Sequence, residues 1–267
     1  MRNTVSHSVT SKNDKYTLKS LERACMLLRM FTLDCPVLGI TELSRKSNLN
    51  KSVVFRVMMT LEKASIVIKS ETTRKYTLGI ELFRLGNIVT SQMELKKNAL
   101  PFMKELSKSC KETVVLYVLT EEDRICIEKV DSQHPVRRYV EVGEISPLYC
   151  GAAGKLLLSH LSESRKTEYF NKNLLEQLAP RTITSNSELK DQLVDIAEKG
   201  YAISIEERVH DSTSLAVPVR GYSGKVIAAL AILGPISRLQ PEEILNYLPM
   251  TIEAADKVSK SLGYGSN

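Results

Sequence analysis

At about 100° per residue, Ser52, Phe55, Arg56 and Met59 fall on one side of a helix and Val54, Val57, Met58 and Leu61 on the other. The second set has the i, i+3, i+4, i+7 spacing of a core-facing stripe. The first combines one guanidinium, one hydroxyl and two large apolar side chains. That is chemistry for a DNA groove, where arginine can bond a guanine edge bidentately and apolar groups can meet thymine methyls. An ordinary amphipathic helix with Phe55 packed on a neighbour gives the same pattern, so the face alone leaves both readings open.

Two other stretches carry reactive or ligand-binding residue types. Pro147–Leu158, PLYCGAAGKLLL, reads as a loop entering a helix, and its small residues would let an anion approach the backbone N–H groups at the helix start. Close packing accounts for the same small residues. A Walker phosphate loop would need glycine at Tyr149 and Ser or Thr at Leu156, which excludes nucleotide binding of that kind. Cys150 at a helix start and the run His210-Asp211-Ser212 raise nucleophilic catalysis as a rival. A triad needs side chains that converge in space, however, and adjacent residues do not supply that.

Stepping outward, Ile40–Lys46 reads as a short helix, Ser47–Asn48 as a break, and Lys51 onward as a longer helix with Asn50 as its N-cap. Two helices joined so tightly outline a helix-turn-helix. Leu18, Leu21, Cys25, Leu28 and Phe31 predict a supporting helix before them. Ile66–Leu78 reads as a hairpin about the polar turn Ser70–Arg74, completing a winged helix whose Thr73, Arg74 and Lys75 would reach the DNA backbone or minor groove. Gly79–Ser91 is apolar on most sides and predicts a linker helix buried against a partner.

Beyond Asn98–Cys110, another helix, strands are expected at Thr113–Leu119, Arg124–Val130, Arg137–Val142, Tyr201–Ile205, Ser214–Arg220 and Val226–Leu233. Helices are expected at Glu163–Lys172, at Glu188–Lys199 with a capping box from Ser185, and from Pro241 to Leu262. The fold class is α+β: an N-terminal winged helix-turn-helix, a linker helix, and a C-terminal domain around a mostly antiparallel sheet. Boundaries follow at 1–15 (a polar, disordered arm), 16–78, 79–97 and 98–267.

Charge supports that division. Residues 1–98 hold 17 Lys+Arg against 8 Asp+Glu, whereas the remainder holds 20 against 23. The basic excess lies with the helix-turn-helix, as phosphate binding by the first part requires. No apolar run approaches the ~20 residues that span a bilayer, and the polar N-terminus lacks a signal peptide's apolar centre. A cytoplasmic protein without membrane contact is expected. The five scattered cysteines form neither a disulfide framework nor a zinc pattern, and no metal or cofactor is expected.

In order and wording the chain resembles the IclR family of bacterial transcriptional regulators from about Tyr16 to Leu262. The resemblance rests on Leu43–Leu61 with KSVVFR at Lys51–Arg56, RKYTLG at Arg74–Gly79, Leu85-Gly86, ETV at Glu112–Val114, PLYCGAAGK at Pro147–Lys155, KGY at Lys199–Tyr201 and AALAILGP at Ala228–Pro235. It implies a GAF-like effector-binding second domain, a homodimer or homotetramer, and binding to a double-stranded DNA operator controlled by a small-molecule effector, with repression the expected sign. It implies DNA contacts by Lys51, Ser52 and Arg56 on the second helix and a wing formed by Arg74, Lys75 and Tyr76; Thr41, Asn50, Val53, Phe55, Met59 and Thr73 complete the expected DNA-binding residues. Val53 and Phe55 stand where the family often has Thr and His, so base preference is expected to be this chain's own.

The implied effector pocket comprises Leu148, Cys150, Gly151, Ala152, Ala153, Gly154, Ser204, Ile205, Ser212, Ser214, Ala231 and Leu233. Neither Ser204 nor Ile205 is acidic, and the strand at Ala231 and Leu233 is apolar, so a buried carboxylate there would lack polar partners. The expected effector is therefore a larger, aromatic or fairly apolar acid held by the backbone N–H groups of Gly151–Gly154. Two rivals stand beside this reading: an enzyme using Cys150, and a protein-interaction module built on the winged helix. The linker helix and the first helix are the expected intersubunit surfaces.

Overall fold

The computed structural model describes residues 17–265 apart from Leu33, Gln92, Met93 and Asn173, and leaves out the side chains of 87 and 89–91. The arm expected over 1–15 lies outside the described residues. The chain divides into two units at 92–93.

In the first unit, α1 (Lys19–Leu28), α2 (Ile40–Ser47) and α3 (Lys51–Lys63) precede a hairpin of β1 (Val67–Lys69) and β2 (Tyr76–Leu78), followed by α4 (Ile80–Ser91). The break between α2 and α3 has a local cause. Asn48 takes a left-handed conformation at φ 55°, which suits its short polar side chain. Ser44 Oγ then donates to the Leu49 carbonyl at 2.6 Å, and Ser47 Oγ accepts the Leu49 N–H at 3.3 Å. The wing is antiparallel, with Val67 opposite Leu78 and Lys69 opposite Tyr76, and Leu38 bridges to Tyr76 as a third short strand. Leu27, Phe31, Leu38, Leu43, Val54, Met58, Val67 and Tyr76 form the core.

The core-facing stripe of α3 falls as its spacing predicts, with Val54 and Met58 buried. That of α1 does so only at its C-terminal end, where Leu28 packs on the core and Phe31 is buried in it. Leu18 and Leu21 are 69% and 61% exposed, and α1 instead inserts Leu27. Only the end of the helix reaches the core, through Leu27 and Leu28 with Phe31 just beyond, where α1 meets α2 and α3. On α4, Ile80 and Phe83 are likewise exposed within the single chain.

Gly79 closes the wing by donating its N–H to the Ile66 carbonyl at 2.8 Å. A Cβ there would lie 2.2 Å from the Ser65 carbonyl oxygen. Since the obstacle is backbone, Gly79→Ala should destabilise this unit by about 2 kcal/mol, read as a lower urea midpoint for the first unit. An unchanged midpoint contradicts the packing.

The second unit is built on a six-stranded sheet in the order β5-β4-β3-β8-β7-β6, every pair antiparallel. Its strands are β3 (Thr113–Leu119), β4 (Asp123–Val130), β5 (Ile145–Pro147), β6 (Ala202–Ile205), β7 (Ser212–Arg220) and β8 (Val226–Pro235). One face packs on α6 (Ala152–Ser159) and α8 (Asn186–Lys199), the other on α5 (Glu94–Cys110) and α9 (Leu248–Ser261). Helix α7 (Glu163–Lys172) packs Tyr169 into the α6 side. The run AALAIL in β8 follows from this: Ala229, Ala231 and Leu233 join the α6 core while Ala228, Leu230 and Ile232 join the α9 core.

Three expectations are corrected here. Arg137–Val142 is loop, because β5 occupies the edge of β4 where that segment would have paired. The last helix starts at Leu248 with Pro249 in its first turn, after a 3-10 turn at Ile244–Tyr247, rather than at Pro241. Helix α5 begins at Glu94, four residues before Asn98.

Candidate DNA-binding face and effector cleft

Thr41, Asn50, Lys51, Ser52 and Arg56 are exposed on α2 and α3, Val53 is half-buried, and Phe55 and Met59 remain 43% and 50% exposed. Large apolar side chains left open beside a guanidinium make this an unusual solvent face. Asn50 occupies the N-cap position of α3, but its side chain makes no capping bond, so that expected role is corrected. The helix's first N–H groups therefore lack that internal acceptor, and amides at a helix start suit a phosphate.

At the wing tip Ser70 organises the turn: its N–H takes the Lys75 carbonyl at 2.8 Å, and its Oγ accepts the Thr73 N–H at 3.2 Å. Thr73 and Arg74 are exposed, Arg74 in a left-handed conformation at φ 57°. Lys75 leans back to Glu42 at 3.4 Å, and Glu42 also accepts the Gly39 N–H at 2.7 Å. That backbone hydrogen bond, with Lys75 added, holds the Glu42 carboxyl below its ordinary value. Tyr76 is a correction. Its side chain is fully buried in the core, so it supports the wing and presents nothing to DNA.

In the second unit a narrow cleft, open to solvent, is lined by Gly151, Ala152, Ala153, Ser204, Ser212, Ser214, Ala231 and Leu233 among the residues singled out in the sequence. Leu148, Cys150, Gly154 and Ile205 do not line it. Tyr117, Arg124, Arg138, Glu207, Arg208 and Val209 do, and sequence reasoning missed all six. Leu148 and Cys150 are buried in the core behind the cleft. Gly154 has a different task, because the Arg124 guanidinium passes over it to donate to the Pro147 carbonyl at 2.5 Å and the Cys150 carbonyl at 2.7 Å.

These residues overturn the expected electrostatics. The start of α6 is partly taken: Glu207 accepts the Gly151 N–H at 3.0 Å, and Ser214 Oγ that of Ala152 at 3.4 Å. Glu207 is also ion-paired to Lys155, and Arg208 pairs with Glu144 at the mouth. Burial is the strongest single influence on Glu144 and pushes it up, but the hydrogen bonds from Arg208 and the Glu141 N–H, with the positive charges of Arg208 and Arg138, together outweigh it and leave the carboxyl lowered. The wall at Ala231 and Leu233 is apolar as expected. Three arginines nonetheless supply the polar partners that wall lacks.

Cys150 is fully buried, and desolvation pushes its thiol up, the reverse of an activated nucleophile. His210 sits on an exposed turn, 2.9 Å from Asp211. With Glu206 these two bring ligand atoms within 4.8 Å of one another, but His210 and Asp211 are open to solvent and Glu206 already faces Arg181 at 3.6 Å. Burial likewise raises Cys110 to about 11 and Cys126 to about 12. The folded chain keeps thiol protons that the unfolded chain releases. Stability from these thiols is therefore complete below the unfolded value of about 8.5 and declines as pH rises toward the folded values. Melting temperature should fall steadily from pH 8.5 to 10.5, and a flat profile contradicts the burial.

Comparison with known proteins agrees with this geometry. Residues 20–69 match the IclR helix-turn-helix domain, and residues 87–260 the bacterial transcriptional regulator IclR C-terminal domain. The chain is 35% identical to the HTH-type transcriptional regulator KdgR of Escherichia coli (strain K12) over 85% of its length and 86% of that protein's. It is 27% identical to the transcriptional repressor IclR of the same organism, over 93% and 90%. An IclR transcriptional regulator from Alicyclobacillus acidocaldarius superposes with a TM-score of 0.80 at 29% identity, covering 93% of this chain and all of that one. An IclR homologue from Microbacterium hydrocarbonoxydans, solved with 4-hydroxybenzoate, gives 0.79 at 25%, covering 91% and 98%. A basic winged helix-turn-helix and a sheet domain carrying a polar-lined cleft, matched by the two family domains over most of the chain, place the chain in the IclR family of bacterial transcriptional regulators.

Proposed function

We propose that this regulator reads its operator with the exposed face of α3, centred on Ser52, Phe55, Arg56 and Met59, while Lys51, Thr73 and Arg74 hold phosphates. Thr41 and Asn50 flank that contact, and Lys75 braces the wing through Glu42. The observation that carries the reading is the face of α3 itself, where Phe55 and Met59 lie open beside Arg56 in the basic part of the chain. The cleft at Gly151–Ala153 and Ser212–Ser214 receives a small-molecule effector that shifts the population between operator-binding and released arrangements. Repression is the sign, and the cytoplasm is the compartment.

Two-fold operators call for at least a dimer. The surface proposed for it combines Leu18 and Leu21 of α1 with Ile80, Phe83 and Leu85 of α4, which are too apolar to remain in water. None of the described helices is long and apolar enough to cross a membrane. Binding to the DNA upstream of its own gene, followed by gel shift from 50 to 200 mM salt, tests the reading. Affinity should fall steeply and linearly on a log–log plot; salt-independent association would favour the protein-interaction rival.

A further inference from the structure

Phe55 and Met59 leave apolar surface in water on a helix face that is otherwise positive. They are 43% and 50% exposed, and neither belongs to the core that Val54 and Met58 help to build. Lys51, Arg56 and Lys63 are exposed on the same helix, and among the described residues no carboxylate lies within 4.0 Å of any of them. Helix α3 carries no acid before Glu62 in its last turn. An apolar pair set among unpaired cations does not suit the apolar centre of a protein interface, which would have to bury those charges as well. It suits a polyanion with apolar groups on its floor, which describes the major groove of DNA.

Phe55 has no hydrogen-bonding group and Met59 only a weakly accepting sulfur, so neither reads a polar base edge. The apolar feature of the groove is the C5-methyl of thymine. Spacing fixes where two such methyls must lie. Four residues of α-helix separate Phe55 from Met59, about 6 Å along the axis and about 40° around it. Successive bases of a DNA strand are about 3.4 Å apart along the duplex axis. Side chains one turn apart therefore reach base pairs about two steps apart when the helix lies along the groove. Both are anchored, because the residue before each, Val54 and Met58, is buried in the core.

Resting on the reading of α3 as the helix that enters the groove, we propose that Phe55 and Met59 recognise the C5-methyl groups of two thymines about two base pairs apart, in the stretch of major groove that Arg56 also reaches. Each methyl leaves water as the side chain covers it, so thymine is preferred over uracil and over unmethylated cytosine. No charge is neutralised by this contact. It adds discrimination between sequences without adding to the salt dependence.

The test uses a duplex that the full chain itself enriches from a random-sequence pool, so no operator has to be assumed. Deoxyuridine then replaces thymidine in that duplex one position at a time, which removes a methyl and leaves every hydrogen-bonding group of the base in place. Binding should weaken about fourfold, the worth of one buried carbon group, at each of two positions about two base pairs apart. Phe55→Ala should abolish the loss at one of these positions and Met59→Ala at the other. The uracil series is read on the parent protein and does not depend on either variant folding. Uracil bound as tightly as thymine throughout, or losses that survive both substitutions, overturns the proposal and leaves α3 reading bases by hydrogen bonds alone. A pool that yields no enriched sequence overturns the reading of α3 along with it.

Discussion

Gly154→Ala should lower the stability of the second unit by about 3 kcal/mol, a fall in its melting temperature of roughly 6–12 °C. A Cβ at this position would lie 2.0 Å from a terminal nitrogen of Arg124 and 2.6 Å from the Leu148 carbonyl oxygen. The carbonyl cannot yield without moving the backbone that leads into α6. The guanidinium can yield only by abandoning the Pro147 and Cys150 carbonyls, which strands a fully buried charge. Steric and electrostatic costs therefore add at one methyl group. Because Arg124 also lines the cleft, the variant should lose effector response under conditions where it still folds. Calorimetric melting beside an effector-release assay checks both, and a melting temperature within 2 °C of the parent, roughly 1 kcal/mol or less, contradicts the account.

Arg56→Ala should weaken binding to the specific operator by about 10- to 100-fold while leaving binding to unrelated DNA within a few-fold. A bidentate arginine–guanine contact contributes about 1–3 kcal/mol of discrimination, whereas one charge among many contributes little to non-specific affinity beyond its share of the salt dependence. The position supports this division of labour. Arg56 lies in the middle of α3, a helix anchored by Val54 and Met58 in the core, so its geometry is set by packing rather than by a loop. Competition binding against an operator and a scrambled duplex reads the ratio directly. Equal losses on both would reduce Arg56 to a phosphate contact.

The first unit was largely legible because its information is local. The periodicity of α3, the Ser47–Asn48 break and the polar wing turn each depend on a few consecutive residues, and each stands where the sequence predicts it. Tyr76 was misassigned for the opposite reason: its neighbours Arg74 and Lys75 are polar wing residues, but strand alternation turns its ring into the core opposite Lys69. Leu18 and Leu21 fit a helical stripe equally well whether that stripe faces the chain's own core or a second subunit.

The cleft was half legible. Gly151–Ala153 and Ser212–Ser214 lie in motifs that mark them, while Tyr117, Arg124, Arg138 and Arg208 come from separate strands and loops and resemble ordinary strand or surface residues when read in sequence. One signal was available. Arg124 shares the inward face of β4 with Cys126, where strand alternation buries both, although Glu121, Glu122 and Asp123 just before it make it read as an ordinary turn residue. The choice between Pro241 and Pro249 as the helix start was underdetermined, since either can occupy a first helical turn.

The central claim is that α3 reads bases while the wing tip holds phosphate. Operator binding by the parent, Phe55→Ala and Arg74→Ala, measured over a series of single-base operator variants at several salt concentrations, tests it most directly. Phe55→Ala should reorder the operator variants and leave the salt slope as it was; Arg74→Ala should keep the order and make the slope shallower by about one. An unchanged ranking with Phe55→Ala together with an unchanged slope with Arg74→Ala would contradict the assignment of this face to DNA.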